Sequence, residues 1–221
     1  MIIGGPALTK YNDRSLKDLT TAPPSVTSAP GALVHIKTLT ASSSATLSFV
    51  NGSSDVVLDS TYPIYKFEFI NVSPTSGASN PKFGFNGSDD TSSHSYDITK
   101  TTTAIQSWHK EDDESRDNYL FYNSTFDLSQ STGFQSLNFG DGNTDADASG
   151  SGELYLFNPS STTFAKYFIA TFSNCDSDPS ASCQRVGGYF NITSAITAMQ
   201  FKYSNGNMDA GKIKLYGIKD A

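Results

Sequence analysis

Apolar and polar residues alternate along most of the chain with a period of two. In Tyr62–Val72, the residues Tyr65, Phe67 and Phe69 fall on one face, while Lys66 and Glu68 fall on the other. That pattern describes a strand with one face in a core and one in water. Similar runs are Leu33–Thr40, Ala45–Val50, Lys82–Phe85, Thr101–Trp108, Phe134–Leu137, Gly152–Phe157, Phe164–Phe172, Val186–Phe190, Ala198–Tyr203 and Lys212–Ile218. Asn51-Gly52, Asn86-Gly87, Asn158-Pro159 and Ser204–Asn207 punctuate them and read as turns. No segment sustains a helical period. About ten strands without helices predict an all-β, antiparallel β-sandwich. Long connections favour a jelly-roll-like form.

The first thirty-one residues break this pattern. Pro6, Pro23, Pro24 and Pro30 remove backbone donors and fix φ, which excludes a central strand. The expected organisation is an extended N-terminal arm over residues 1–31, with a short helical turn near Ser15–Leu19, followed by one sandwich domain over residues 32–221. The opening Met1–Pro6 lacks a basic region and a long apolar run, so no secretory leader is expected.

Composition narrows the picture. The chain has 221 residues and a net charge of -7, and 33 Ser and 22 Thr supply about a quarter of it. The 12% aromatic content belongs to a chain that buries a core rather than to a disordered one. An acidic balance with few Lys and Arg argues against nucleic acid. No apolar stretch is long enough to span a membrane as a helix.

Candidate chemistry is sparse. His35, His94 and His109 stand apart, and no nucleophile-elbow, zincin or phosphate-loop motif accompanies them. Asp141–Asp147 alternates acidic and amide oxygens as a Ca²⁺ loop does. Counted from Asp141, however, an EF-hand would need Gly and Glu where Ala146 and Gly152 stand, so the run reads as a solvated loop. The acidic run Glu111–Glu114 reads the same way. Glu68 and Glu153 are the acidic strand residues available for a glycosidase pair, and the sequence does not place them together. Trp108, Tyr119, Tyr122 and Tyr155 are candidate sugar platforms, with Tyr119 and Tyr122 the more exposed expectation. Cys175 and Cys183, in the polar segment Ser173–Gln184, could be a loop disulfide or two thiols. The triplets at Asn51, Asn86, Asn123 and Asn191 match glycan acceptors that chance supplies in so Ser- and Thr-rich a chain. No catalytic, cofactor-binding or metal residues are assigned.

Several segments resemble one group of proteins. They are His35–Val50, Leu154–Phe164, Gly188–Ile196 and Gly211–Ile218, with Tyr11–Leu16 ahead of them. They resemble uncharacterised virion proteins of marine tailed bacteriophages, cyanophages among them. The resemblance implies a structural, non-enzymatic role in the virion, as a tail-fibre, tail-tip or capsid-surface protein assembled in the host cytoplasm. It also implies attachment to other virion proteins through residues 1–31. Homo-oligomerisation, with a trimer favoured for a fibre, is expected. A capsid decoration or head-fibre protein, and a carbohydrate-binding module that contacts host glycans, are the alternatives. No cofactor is expected.

Overall fold

The computed structural model describes residues 33–112, 119–122, 124–139, 143–176 and 180–220. The arm over residues 1–31 lies outside the described residues. Among the described residues twelve strands form two antiparallel sheets. They are β1 (Leu33–Thr40), β2 (Leu47–Val50), β3 (Ile64–Pro74), β4 (Phe83–Ser88), β5 (Lys100–Lys110), β6 (Tyr119–Tyr122), β7 (Gln135–Ser136), β8 (Gly150–Phe157), β9 (Lys166–Cys175), β10 (Ser180–Phe190), β11 (Ala198–Tyr203) and β12 (Met208–Ile218). No α-helix occurs among the described residues, and Ser124–Phe126 makes a single 3-10 turn.

The larger sheet has the order β1-β12-β3-β8-β9-β10-β5-β6, and the smaller has β2-β11-β4-β7. Eight of these strands pair first with last. β1 lies on β12, β2 on β11, β3 on β8 and β4 on β7. This is an antiparallel ribbon wrapped on itself, the connectivity of a jelly roll. The remaining four strands come from two excursions, β5–β6 between β4 and β7 and β9–β10 between β8 and β11. Both excursions join the larger sheet beyond β8 and double its width.

Aromatic side chains fill the space between the sheets. On β3, Tyr65, Phe67 and Phe69 point inward and are fully or nearly fully buried, as the period of two requires. Phe201 on β11 faces them from the smaller sheet. Its ring lies 5.1 Å from Phe67 and 5.3 Å from Phe69 across the gap. It also lies 6.2, 6.3 and 6.4 Å from Phe49, Phe83 and Phe85. The added strands enter the same core, with Phe172 stacked on Phe83 and Phe168 edge-on to Phe85. Residues 124–139 cover the inner face of β5. Thr102 donates to Gln135 at 2.6 Å, and the Gln135 amide donates to the Phe126 carbonyl at 3.1 Å.

Two local expectations are corrected and one strand was not anticipated. Asn86-Gly87 is not a turn, because β4 continues to Ser88 with both residues buried and paired to β11. The side chain of Asn86 is spent inside, donating to the Thr132 carbonyl at 2.9 Å. The polar segment Ser173–Gln184 is mostly strand, the far half of the β9–β10 ladder. Its inward Ser182 and Gln184 are buried against Gln106, so polar residues alternate here in place of apolar ones. Tyr119–Tyr122, which is not among the runs that read as strands, is the edge strand β6. The turns at Asn51-Gly52 and Ser204–Asn207 stand as expected, with Gly52 and Gly206 at φ 77° and 73°.

Phe201 packs against rings of both sheets. Replacing it with Ala is expected to cost about 3–5 kcal/mol, the range for a large buried aromatic. Urea denaturation measures this, and a loss under about 1 kcal/mol would show that the two sheets do not depend on it.

Candidate ligand-binding face

The outer face of the added strands is built by the same alternation. On β9, Lys166, Phe168, Ala170 and Phe172 point inward, which leaves Tyr167, Ile169, Thr171 and Ser173 outward. β10 sends Arg185, Gly187 and Tyr189 the same way, and β5 sends Thr101, Thr103 and Ile105. The registers align these in rows across the sheet. One row is Tyr167–Tyr189–Thr101 and the next is Tyr155–Ile169–Gly187–Thr103. A third is Thr171–Arg185–Ile105–Tyr122.

A groove of about 400 Å³ lies over the first two rows. Its floor is the Gly187–Gly188 backbone, and Tyr167, Tyr189, Ile169, Phe157, Thr101 and Thr103 surround it. The Tyr167 and Tyr189 rings lie 5.9 Å apart at 50° to one another. Tyr167 is 60% exposed, high for a large aromatic on a sheet face.

The two floor glycines differ in kind. A side chain at Gly188 would meet the Thr101 carbonyl oxygen at 2.7 Å and the Phe168 ring at 2.9 Å, so core packing requires glycine there. At Gly187 nothing lies within 4 Å of the point where a Cβ would stand, and the backbone is ordinary strand. Glycine in a strand interior costs ~0.5–1 kcal/mol relative to alanine. Packing gives no reason for it at position 187, and the space it leaves is the groove itself.

Beside the groove lies a charged cluster. Glu68 and Glu153 are direct cross-strand partners, a juxtaposition the sequence did not disclose. The Lys66 ammonium stands 2.9 Å from a carboxylate oxygen of each. It also lies 5.5 Å from the Tyr155 ring centre. Burial pulls the Lys66 ammonium down, but its bonds to both carboxylates outweigh this and raise it above the ordinary lysine value. The bond from Lys66 holds Glu68 below the usual carboxylate range. A glycosidase acid needs the opposite, a carboxyl kept protonated near neutrality, which Glu68 is not.

Two buried lysines went unnoticed in the sequence, where Lys100 precedes one strand-like run and Lys166 lies within another. Lys100 and Lys166 are the cross-strand partners of Phe190 on its two sides, and both are fully buried. The Lys100 ammonium donates to the carbonyls of Ile98 and Gly133 at 3.0 and 2.6 Å. It lies 5.8 Å from the Phe190 ring centre. Lys166 donates to the carbonyls of Phe164 and Ile192 at 2.8 and 3.3 Å. Each ammonium ties two loops at one end of the sandwich. Burial lowers both from the ordinary lysine value, Lys100 to about 7, against the pull of Asp97 on Lys100 and of Asp89 on Lys166.

The other candidates do not converge. His35 bonds Thr38 on the edge strand β1, His94 meets Thr197 at 3.4 Å, and His109 lies near the end of β5. The Trp108 indole donates to Ser180 and its ring stands edge-on to Tyr119. Tyr119 and Tyr122 are exposed, as expected, and Tyr122 donates to Asp127. Asp141 and Gly142 lie outside the described residues, as do Asp113, Glu114 and Asn123. Asn143 accepts from the Asp145 amide at 2.8 Å, and Asp145 and Asp147 are exposed. Among the described residues no cluster of three His, Cys, Asp or Glu could hold a metal. Cys175 and Cys183 are free thiols, on adjacent strands but not opposite each other. Asn51 accepts from the Leu58 amide at 2.9 Å, and Asn191 donates to Gln130 at 2.9 Å.

Lys100 makes stability depend on pH. In the unfolded chain a lysine keeps its proton to about pH 10.4. In the fold Lys100 releases it near 7, so above that pH the unfolded state holds the extra proton and stability rises with pH. The stability of the protein relative to its Lys100→Met variant is expected to rise by ~1–3 kcal/mol between about pH 6 and about pH 9. Parallel urea-unfolding profiles for the two proteins would contradict this.

No family model, curated protein or solved structure matches the chain.

Proposed function

We propose that the chain is a structural protein of a bacteriophage virion, a tail-fibre or tail-tip component without catalytic function. On this reading residues 1–31 join it to the particle, and the sandwich is displayed outward. The observation that carries the reading is the jelly-roll wrap with one sheet widened by β5, β6, β9 and β10. Jelly rolls recur in viral capsid and lectin domains, because a closed, hydrogen-bonded body presents rigid outer surfaces. The widening gives this body a second face beyond what the eight-strand wrap needs. The resemblance of its segments to marine phage virion proteins points the same way.

The outward rows Tyr167–Tyr189 and Ile105–Tyr122, in which Tyr167, Ile105 and Tyr122 are exposed, fit a contact role. Soluble monomers seldom leave large apolar side chains grouped on a flat face without a use for them. Association with sister copies, three in a fibre, belongs to the same proposal.

Removal of residues 1–31 is expected to leave a folded, soluble protein that no longer enters particles. Particle purification followed by immunoblotting reads this directly. Incorporation of the truncated protein at the normal level would refute attachment through the arm. Absence of the full-length protein from purified particles would refute the virion assignment as a whole.

A further inference from the structure

We propose that the groove over Gly187 is a binding site for the ring of a neutral sugar. Gly187 is the starting observation. It sits mid-strand with ordinary backbone angles and open space where a side chain would stand. A glycine in a strand that packing does not require marks a place where something else approaches the backbone. Its neighbour Gly188 shows the contrast, being forced by the Thr101 carbonyl and the Phe168 ring.

The lining selects the chemistry of the occupant. None of the residues around the groove is charged, so neither an anion nor a cation finds a partner inside it. The walls combine aromatic faces, Tyr167 and Tyr189, with the hydroxyls of Thr101 and Thr103. A pyranose has the matching composition. Its axial C–H bonds make an apolar face that lies against the electron-rich face of an aromatic ring, and its hydroxyls radiate from the edge. Tyr167 and Tyr189 are inclined at 50° to one another, so they present two differently oriented ring faces to the groove.

Size argues against a second copy of the chain as the occupant. Four strands, β8 to β5, bound the groove, and at ~4.8 Å between strands they span roughly 14 Å. The two rows it covers lie about 7 Å apart along the strands, so its footprint is on the order of 100 Å², whereas a stable protein interface covers about 800 Å² on each partner. A groove of about 400 Å³ is instead in the range of small-ligand sites. The proposal is independent of the virion assignment, since it concerns the isolated protein.

The test uses the full chain and a panel of neutral mono- and oligosaccharides built from glucose, galactose, mannose and N-acetylglucosamine. Binding is read by glycan array and by calorimetry, with and without a chelator. The protein is expected to bind at least one member of the panel, and a chelator is expected to change nothing, because no carboxylate lines the groove. Gly187→Val fills the floor with a residue that strands favour. This variant is expected to melt no lower than the parent and to lose affinity by about tenfold or more. Tyr167→Ala, at an exposed position, is expected to lose binding to the same degree with its fold intact. Any of three results would overturn the proposal. One is no binding across the panel, and another is full binding by both variants. The third is a concentration-dependent dimer of the parent that either variant abolishes, which would assign the groove to a second copy. Sugar binding by a protein missing from particles would retain the groove and remove the virion reading, and the reverse pair of results would do the opposite.

Discussion

Contact between Phe201 and the β3 phenylalanines is what the rest of the molecule depends on. The smaller sheet has four strands, one of them only Gln135–Ser136, and it could not bury a face alone. Phe201 brings it against Phe67 and Phe69 and gathers Phe49, Phe83 and Phe85 around the same point. Aromatic side chains suit this task because each removes a large apolar area from water and locks into edge or offset geometry. Once the two sheets are clamped, the larger one can grow sideways. The added strands need only carry inward side chains that reach the same cluster, as Phe172 and Phe168 do.

That sideways growth separates two roles. The eight-strand wrap supplies closure and stability, while β5, β6, β9 and β10 supply area. Their inner face turns increasingly polar with distance from the cluster, through Thr102, Gln106, Ser182 and Gln184. These groups are buried, so each must find partners: residues 124–139 fold back to meet Thr102, while Gln106, Ser182 and Gln184 bond among themselves. At the end of the sandwich, Lys100 and Lys166 meet loop carbonyls in the same way. The outer face is freed from such duties and carries the tyrosines, Ile169 and the open floor at Gly187.

The strands with alternating aromatic or aliphatic residues were legible from sequence, and β1 begins and ends at the expected residues. Period two is a direct imprint of which face is buried, and it survives without any knowledge of partners. Elements whose buried face is polar left no such imprint. The outer half of β10 buries Ser180, Ser182 and Gln184, and in sequence these look like loop. Asn86-Gly87 carries turn chemistry, but Ile98, Met199 and Phe190 close around Gly87 and tertiary packing prevails. The pairing of Glu68 with Glu153 and the flanking of Phe190 by two lysines are matters of register, which a single chain read in order does not contain. The groove had one local signal, two adjacent glycines inside a strand-like run, but only the structure shows which of them faces the core and which the open side.

The central claim is that the widened face is a ligand surface and the wrap beneath it is scaffold. Tyrosines in the fold fall on both sides of that division. Tyr167 and Tyr189 line the groove, while Tyr65 and Tyr203 are buried in the core, with hydroxyls bonded to the carbonyls of Asp59 and Val72. Fluorine NMR of the full chain labelled with fluorotyrosine, titrated with neutral oligosaccharides, observes both sets at once. The account predicts that the Tyr167 and Tyr189 resonances shift on titration while those of Tyr65 and Tyr203 stay fixed. Shifts confined to tyrosines away from the groove, or no shift at saturating sugar, would contradict it.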